Sequence, residues 1–460
     1  MYVDQSGPSL WRMRAVCRAL AGGLMLGFSV AGQAALTIEQ AQKMAISSDA
    51  GIRQVLQSAE AMKSDAVAKS QLPDPVLILG GQNLPTDSFK FDQEPMTQLR
   101  VGIRQMFPQG DSLSLMEDKM SLQAEAMYSN AEVRYLQVNR NVRGIWLEVM
   151  YWQQALQVLE QDQKLFEQLL DVTRSLYSVG RIQQTDVLRA ELELSRLNEK
   201  LIKAGKSQQK QRIRLSRWIG EQAFVDWPEQ MPLLNLPDII DSRQVSAAPR
   251  ALPEPLARKL REHPLLMTMD RQVAEAEVDV ALAENQYDPA WGVELSYGYR
   301  DGQNPDGSDR SDFFSAVVTV SMPIFSSVKQ DQGVRSSNYR QKSRMYAVDD
   351  QFRQMNGDVA ELLTRLNQTE EQLTLFRSEI ISKSRQQAEA ALSAYQSDAS
   401  GFGEVMRSYL SEQKDRLDYR RLLVDRLLAI SELQYFFPSQ TSDLTQKFSE
   451  LNNQQGESFK

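Results

Sequence analysis

The sequence predicts a mainly α-helical protein with a small β component, in which each chain is an internal tandem repeat. Two long segments without proline carry apolar residues at the 3-4 spacing of a helix that packs against other helices. Each half also contains two short segments in which apolar and polar residues alternate, as in strands. The halves correspond at an offset of about 214 residues, which indicates a duplicated unit. Asp74-Pro75 then pairs with Asp288-Pro289, and Asp49 with His263.

Composition excludes several functional classes. The chain has 460 residues, of which 60 are acidic and 52 basic, so its formal net charge is -8. This balance argues against a nucleic-acid-binding protein, which needs basic residues to neutralise phosphates. One Cys and one His cannot form a disulfide or a cluster of imidazole ligands. The sequence has no phosphate-binding glycine loop, GxSxG or HExxH motif, so we expect no enzyme, no cofactor and no metal site.

Residues 1–35 resemble a secretory signal peptide. Three arginines precede an apolar run and small residues follow it. The alternative is a transmembrane anchor, but the run has about 12 residues where a span needs about 20. Cys17 precedes the apolar run, so it does not occupy the position at which a bacterial lipoprotein is acylated.

The two repeats are expected to share one order of elements. Each begins with a helix, 38–70 or 254–286, and continues with two strands, a long helix and a return helix. A Pro-rich linker at 223–253 separates the repeats and a polar tail follows at 438–460. Repeat 1 spans 36–222, with strands 74–84 and 97–107, long helix 112–178 and return helix 183–217. Repeat 2 spans 254–437, with strands 290–300 and 313–324, long helix 328–396 and return helix 403–436.

The long helices carry an apolar seam over most of their length. Gln163 and Thr369 are the polar interruptions in the two seams. Such seams predict knobs-into-holes packing between nearly parallel helices. At 1.5 Å per residue each helix would be about 100 Å long. A coiled-coil scaffold would show the same seams, so the helices alone do not define a function.

The alternating segments present one apolar and one polar face. This pattern fits strands of a transmembrane barrel with lipid outside and water inside, and it fits equally an amphipathic sheet on a soluble core. Two hairpins are too few to close a barrel, so a membrane barrel requires several chains, and a trimer would supply about twelve strands. The residues expected to face lipid are Trp291, Val293, Leu295, Tyr297, Tyr299, Phe314, Val318 and Val320.

Two stretches carry a family resemblance. Residues 175–194 (SLYSVGRIQQTDVLRAELEL) resemble the periplasmic helix tip of the TolC family of outer-membrane efflux channels, and 215–220 (LSRWIG) resemble its repeat ending. The resemblance implies that three chains form a short outer-membrane β-barrel, continued by a long coiled-coil-like α-barrel in the periplasm. The partners it implies are a homotrimer, outer-membrane lipid, a periplasmic adaptor (membrane fusion protein) and an inner-membrane pump.

The first hairpin resembles one branch of that family. Residues 71–85 (QLPDPVLILGGQNLP) and 94–110 (EPMTQLRVGIRQMFPQG) are most similar to the outer-membrane components of heavy-metal resistance-nodulation-division (RND) systems. The implied cargo is a heavy-metal cation. The alternatives are an exit duct for drugs or secreted proteins and, from another class, a soluble periplasmic coiled-coil adaptor or scaffold.

The turns between the long and return helices are the expected functional tips. Gly180 supplies a residue free to adopt positive φ, and Gly401 lies in the second turn. By the resemblance, Val179, Gly180, Arg181 and Gly401 would dock onto an adaptor. His263 is expected to make a polar contact at a helix end.

A periplasmic gate is implied just beyond the tips. The resemblance assigns it to Thr185, Asp186 and Tyr395. Asp186 and Glu404 correspond in the two repeats, and Arg189 and Arg407 follow three residues later. A surface ion pair is the simpler interpretation; in a symmetric trimer the carboxylates would instead form acidic rings that favour cations. Arg407 and Ser400 depart from the family pattern.

Met96, Met106, Met116 and Met120 are interpreted as packing residues rather than Cu(I) ligands.

Overall fold

The computed structural model describes residues 35–241, 252–322, 324, 327–397 and 399–438. The expected signal peptide and C-terminal tail therefore lie almost entirely outside the described residues. The elements are α1 Ile38–Ser48, α2 Ala50–Lys69, β1 Val76–Gln82, β2 Gln98–Phe107, α3 Ser112–Ser178, α4 Gln184–Ile219, α5 Glu254–Arg261, α6 Pro264–Glu284, β3 Ala290–Tyr299, β4 Phe313–Ser321, α7 Ser327–Leu375, α8 Ile381–Gln396 and α9 Phe402–Phe436.

The helix expected at the start of each repeat is two helices. Asp49 ends α1 and caps α2, and its carboxylate accepts the Ile52 N–H at 2.7 Å. His263 is the equivalent cap between α5 and α6, and its Nδ1 accepts the Leu265 N–H at 3.2 Å. The helix-end contact expected for His263 is therefore confirmed, while the continuous helices 38–70 and 254–286 are wrong because a cap residue interrupts each.

His263 is held as a neutral ring. Since Nδ1 accepts a hydrogen bond, Nε2 carries the proton and donates to the Tyr435 carbonyl at 3.1 Å. Burial lowers the pKa of His263 to about 4, so the ring is uncharged at neutral pH. This contact joins the start of α6 to the end of α9.

The second long helix is not uniform, unlike α3. A π-helical turn at Phe376–Ile380 separates α7 from α8, where the sequence predicts one helix over 328–396. α8 packs against α9, whereas α7 also packs against α5 and α6. The turn therefore lies where the helix changes its packing partners.

Three apolar clusters run along the helices. The first joins α1, the middle of α3 and the end of α4, and includes Trp146 and Leu215. The second joins α5, α7 and the end of α9, and includes Leu256 and Val359. The third joins the end of α3, α4 and the start of α9. The first two place corresponding helices of the two repeats in similar surroundings.

The linker is partly ordered against this core. A 3-10 turn at Gly220–Phe224 follows α4, and Trp227 is buried with its ring centroid 5.3 Å from that of Trp146. Of the expected linker, 242–251 lie outside the described residues.

The four strands form one antiparallel sheet in the order β1-β2-β3-β4. The hairpin of each repeat supplies two strands, and β2 pairs with β3 across the repeats, with Val101 opposite Tyr297. No helix packs across either face of the sheet in the described part of the chain. None of the described helices has the length and apolar character needed to cross a membrane.

Candidate functional site: the helical tips and the two faces of the sheet

The first tip is a Schellman turn at the end of α3. Gly180 has φ +74°, its N–H donates to the Tyr177 carbonyl at 2.9 Å, and the Arg181 N–H donates to the Leu176 carbonyl at 3.0 Å. These two bonds satisfy carbonyls that the helix end leaves free. An L side chain at position 180 would be strained in the left-handed region, so this turn depends on glycine. Val179 is 68% exposed at its end.

The second tip is built differently. Gly401 is the residue before α9 and has φ -83°, which any residue adopts. No atom lies within 4 Å of a Cβ placed at Gly401. The two turns correspond in sequence, but only the first depends on a left-handed glycine.

The two tips contact each other. Phe402 is buried in the cluster that includes Phe166 and Leu197, and its ring meets Tyr395 edge-on with centroids 5.7 Å apart. A Cβ on Gly403 would lie 2.5 Å from Arg189 Nη1, so this glycine leaves room for an arginine of the first tip. Tyr395, one of the expected gate residues, packs within the second tip against Phe402 and against the same apolar cluster.

The carboxylates expected at the gate form ion pairs within the chain. Asp186 Oδ1 lies 3.9 Å from Arg189 Nη1, and Glu404 Oε2 lies 2.5 Å from Arg407 Nη2. Thr185 Oγ1 lies 3.4 Å from Gln183 Oε1. These are the i,i+3 pairs that the sequence predicts, and in each the guanidinium offsets the carboxylate charge.

An apolar cavity of about 380 Å³ lies above the tips. α3 contributes Leu169 and Val172, α8 contributes Leu392, and the two tips contribute Ile182 and Phe402. The side chains that join the two tips therefore leave part of the space between them unfilled.

A buried polar cluster above the cavity was not predicted. Asp162 is 4% exposed, pairs with Arg416, and accepts a hydrogen bond from Gln413 Nε2 at 2.8 Å. Gln413 Oε1 in turn accepts from Lys200 Nζ at 2.8 Å. At this level of α3 the buried polar residue is Asp162, while its neighbour Gln163, the polar interruption predicted from the sequence, is half-buried. The cluster links α3, α4 and α9.

One face of the sheet is apolar and exposed. The strand register aligns Ile103 with Leu295, and Tyr297 with Phe314, so apolar side chains of all four strands share this face. Val293 is half-buried. The other residues expected to face lipid are 42–72% exposed: Trp291, Leu295, Tyr297, Tyr299, Phe314, Val318 and Val320.

Aromatic rings lie near both ends of this face. Trp291 stacks on Phe107 with centroids 4.2 Å apart at the end next to α3. Tyr297, Tyr299 and Phe314 lie toward the opposite end. Amphipathic aromatic rings in two bands are typical of membrane–water interfaces.

The opposite face of the sheet is polar and carries a charged cluster. Glu294 Oε2 accepts from Arg104 Nε at 2.7 Å and from Arg104 Nη2 at 2.5 Å, while Glu294 Oε1 pairs with Arg100. Arg100 Nε also donates to Ser296 Oγ at 3.0 Å. Glu294 and Ser296 are 7% and 5% exposed although no helix covers them. Neighbouring strands shield these residues, which indicates that the polar face is concave.

The described residues contain no group of three or more His, Cys, Asp or Glu side chains able to hold a metal ion. Met120 is buried and Met96 is 54% exposed. Met106 lies over Gly292, where an added Cβ would lie 2.6 Å from its sulfur.

A family model and several solved structures match the chain. Residues 76–221 match the family described as outer membrane efflux protein. The outer membrane channel CmeC of Campylobacter jejuni is 11% identical, with a TM-score of 0.72 over 90% of this chain and 89% of that one. CusC is 14% identical, with a TM-score of 0.72 over 88% and 92%. The MtrE outer membrane channel of Neisseria gonorrhoeae is 14% identical, with a TM-score of 0.70 over 88% and 91%.

No curated protein matches the sequence. The fold is that of the outer-membrane efflux channels, mainly helical with a small sheet. Residues 76–221 are therefore similar to the outer membrane efflux protein family, and the fold of the chain is that of the solved channels.

Replacing each tip glycine by alanine should destabilise the first turn and leave the second turn unchanged. Gly180→Ala places a Cβ at φ +74°, which costs about 1 kcal/mol and should speed amide exchange at 174–182 roughly fivefold. Gly401→Ala is the matched control, because position 401 already has an ordinary φ and free space. Hydrogen–deuterium exchange of the purified protein measures both. Equal effects of the two substitutions would contradict this account of the tips.

Proposed function

We propose that three copies of the chain form one export conduit. The observation that carries the proposal is the four-stranded sheet, with one exposed apolar face, one polar concave face and unpaired edges at β1 and β4. Open edges and an apolar face cannot both remain in water without risk of aggregation. Joining β4 of one chain to β1 of the next pairs the open edges, and three sheets close at about twelve strands, with the apolar face on the outside.

The apolar face would then contact lipid. Trp291, Leu295, Tyr297 and Phe314 represent this face, and the remaining lipid-facing positions are Val293, Tyr299, Val318 and Val320. Strands of ten and nine residues fit the length of a transmembrane strand, which is about 9–11 residues. The competing class, a soluble coiled-coil adaptor or scaffold, leaves this surface without an apolar partner.

The helices would form the periplasmic part of the conduit. α3 has 67 residues, which corresponds to about 100 Å. Exposed apolar side chains along α4, including Leu188, Leu192 and Ile202, would pack against neighbouring subunits. Transport through such a tunnel is passive, and an inner-membrane pump would supply the energy.

The tips would close the periplasmic end. The proposed gate consists of Thr185, Asp186, Tyr395, Glu404 and Arg407, which lie in or next to the two turns. Threefold symmetry would bring three copies of each carboxylate toward the axis, where hydrogen bonds between subunits hold the entrance narrow.

Weakening the gate should increase conductance. Asp186→Ala removes a carboxylate that would bind the neighbouring subunit, and Tyr395→Phe removes a hydroxyl from the packing of the second tip, so single-channel conductance in planar bilayers should rise above the wild-type value. Asp65→Ala is a control, because Asp65 makes a comparable exposed ion pair, with Lys69, on α2. Unchanged conductance in both gate variants would refute the assignment.

The same tips would dock onto a periplasmic adaptor. Val179, Gly180 and Arg181 form the first exposed turn, and Gly401 lies in the second. Val179 and Tyr177 offer exposed apolar contacts for an adaptor hairpin.

Crosslinking tests this docking. Val179→Cys should form a disulfide with a cysteine in the cognate adaptor hairpin in intact cells. Position 179 is preferred to 180 because φ at 180 disfavours a side chain. Lys203→Cys is the control, since residue 203 is exposed and lies about 28 Å up α4. Crosslinking at 203 but not at 179 would refute docking through this turn.

The cargo proposed first is a heavy-metal cation, supplied by an RND pump. Its support is the resemblance of residues 71–85 and 94–110 to that branch of the family. Deletion of the gene should sensitise cells to copper, silver, zinc, cobalt or cadmium, with rescue by the wild-type gene. Sensitivity to drugs alone would favour the alternative, a duct for drugs or secreted proteins.

A further inference from the structure

The charged cluster on the polar face has a net positive charge. Arg100, Arg104 and Glu294 are the only charged residues in the four strands. Glu294 Oε1 pairs with Arg100 and Oε2 pairs with Arg104, so two guanidinium groups share one carboxylate. One positive charge per chain is therefore not offset by any other residue of the sheet.

The register concentrates this charge in one band. Arg104 lies directly opposite Glu294, and Arg100 lies opposite Gly298. The three charged groups thus occupy neighbouring positions on β2 and β3, at the junction of the two repeats. Gly102, next to them on the same face, leaves no room for a larger residue, since an added Cβ would lie 2.9 Å from the Ser296 Cβ.

We propose that Arg100, Arg104 and Glu294 form a basic selectivity ring on the inner wall of the barrel, which favours anions and slows free cations. This inference rests on the proposed trimeric conduit, in which the concave polar face lines the lumen. Three chains contribute six arginines and three glutamates to one band. Rings of charged side chains select ions by sign, and the Debye length of about 8 Å at physiological ionic strength lets such a ring act across a narrow pore.

The ring differs in charge from the periplasmic entrance. There Asp186 and Glu404 are each paired with an arginine, so these pairs carry no net charge. The barrel ring is therefore expected to influence ion preference more strongly than the tips. A metal would cross it more readily as a neutral or anionic complex than as a free cation.

Reversal potentials across a salt gradient test the ring. Purified trimers in planar bilayers give the chloride-to-potassium permeability ratio. Arg104→Gln removes the excess charge and leaves the Arg100–Glu294 pair, so the ratio should fall by at least about threefold. Glu294→Gln adds positive charge and should raise the ratio. Arg104→Lys keeps the charge without the two-bond contact and should leave the ratio unchanged.

The outcomes separate this proposal from a purely structural role and from the conduit itself. If the cluster only joins the two hairpins, Arg104→Gln and Arg104→Lys will both lower the melting temperature of the trimer and neither will move the permeability ratio, which overturns the ring. If Glu294→Gln does not assemble, the permeability ratios of the two variants Arg104→Gln and Arg104→Lys still test the ring. A wild-type chain that forms no trimer and no conductance would refute the proposed function as well.

Discussion

The architecture depends on a sheet that one chain cannot complete. Four strands leave the outer edges of β1 and β4 unpaired, and the register places the apolar residues of all strands on one exposed face. In lipid every backbone N–H and C=O must find a partner, so an open sheet is excluded there and a closed barrel is required. Closure of a barrel needs further copies of the chain. The helices that continue from the strands would then also assemble from several chains.

The long helices must remain nearly parallel over a length of about 100 Å. Their apolar clusters lie at separate levels, and polar contacts fix the helices between them. His263 joins α6 to α9, and Asp162 joins α3 to α4 and α9 through Gln413 and Lys200. Removing one member of a buried charged cluster is costly because its partner is left without compensation. These polar contacts therefore fix the relative positions of the helices, because the apolar seams alone would allow the helices to slide along one another.

Local sequence signals predicted part of this structure well. Gly180 could be recognised because a helix end followed by glycine has a specific backbone requirement. The correspondence of Asp49 and His263 pointed to a shared position, although the sequence alone did not show that each interrupts a helix. The π-turn at Phe376–Ile380 contains neither proline nor glycine, so it left no local signal. Gly401 shows the opposite case, a glycine whose backbone does not require it.

Contacts that depend on strand register or helix rotation could not be predicted. The Arg104–Glu294 pair joins residues 190 positions apart, and one residue of slippage would place them on opposite faces. Asp162 and Gln163 are adjacent in sequence, and only the rotation of α3 in the packed structure buries the first. The charged ring and the buried polar cluster could therefore be recognised only from the structure, whereas the alternation of apolar and polar residues along the strands could be recognised from the sequence.

Site-directed spin labelling of β4 tests the central claim most directly. Single cysteines at 315–320, in a chain with Cys17→Ser, would carry nitroxides in outer-membrane vesicles. The account predicts that oxygen, which partitions into lipid, collides most with labels at 316, 318 and 320, and that a water-soluble nickel chelate collides most with labels at 315, 317 and 319. Equal access of the nickel chelate to all six positions would contradict a membrane barrel built from this sheet.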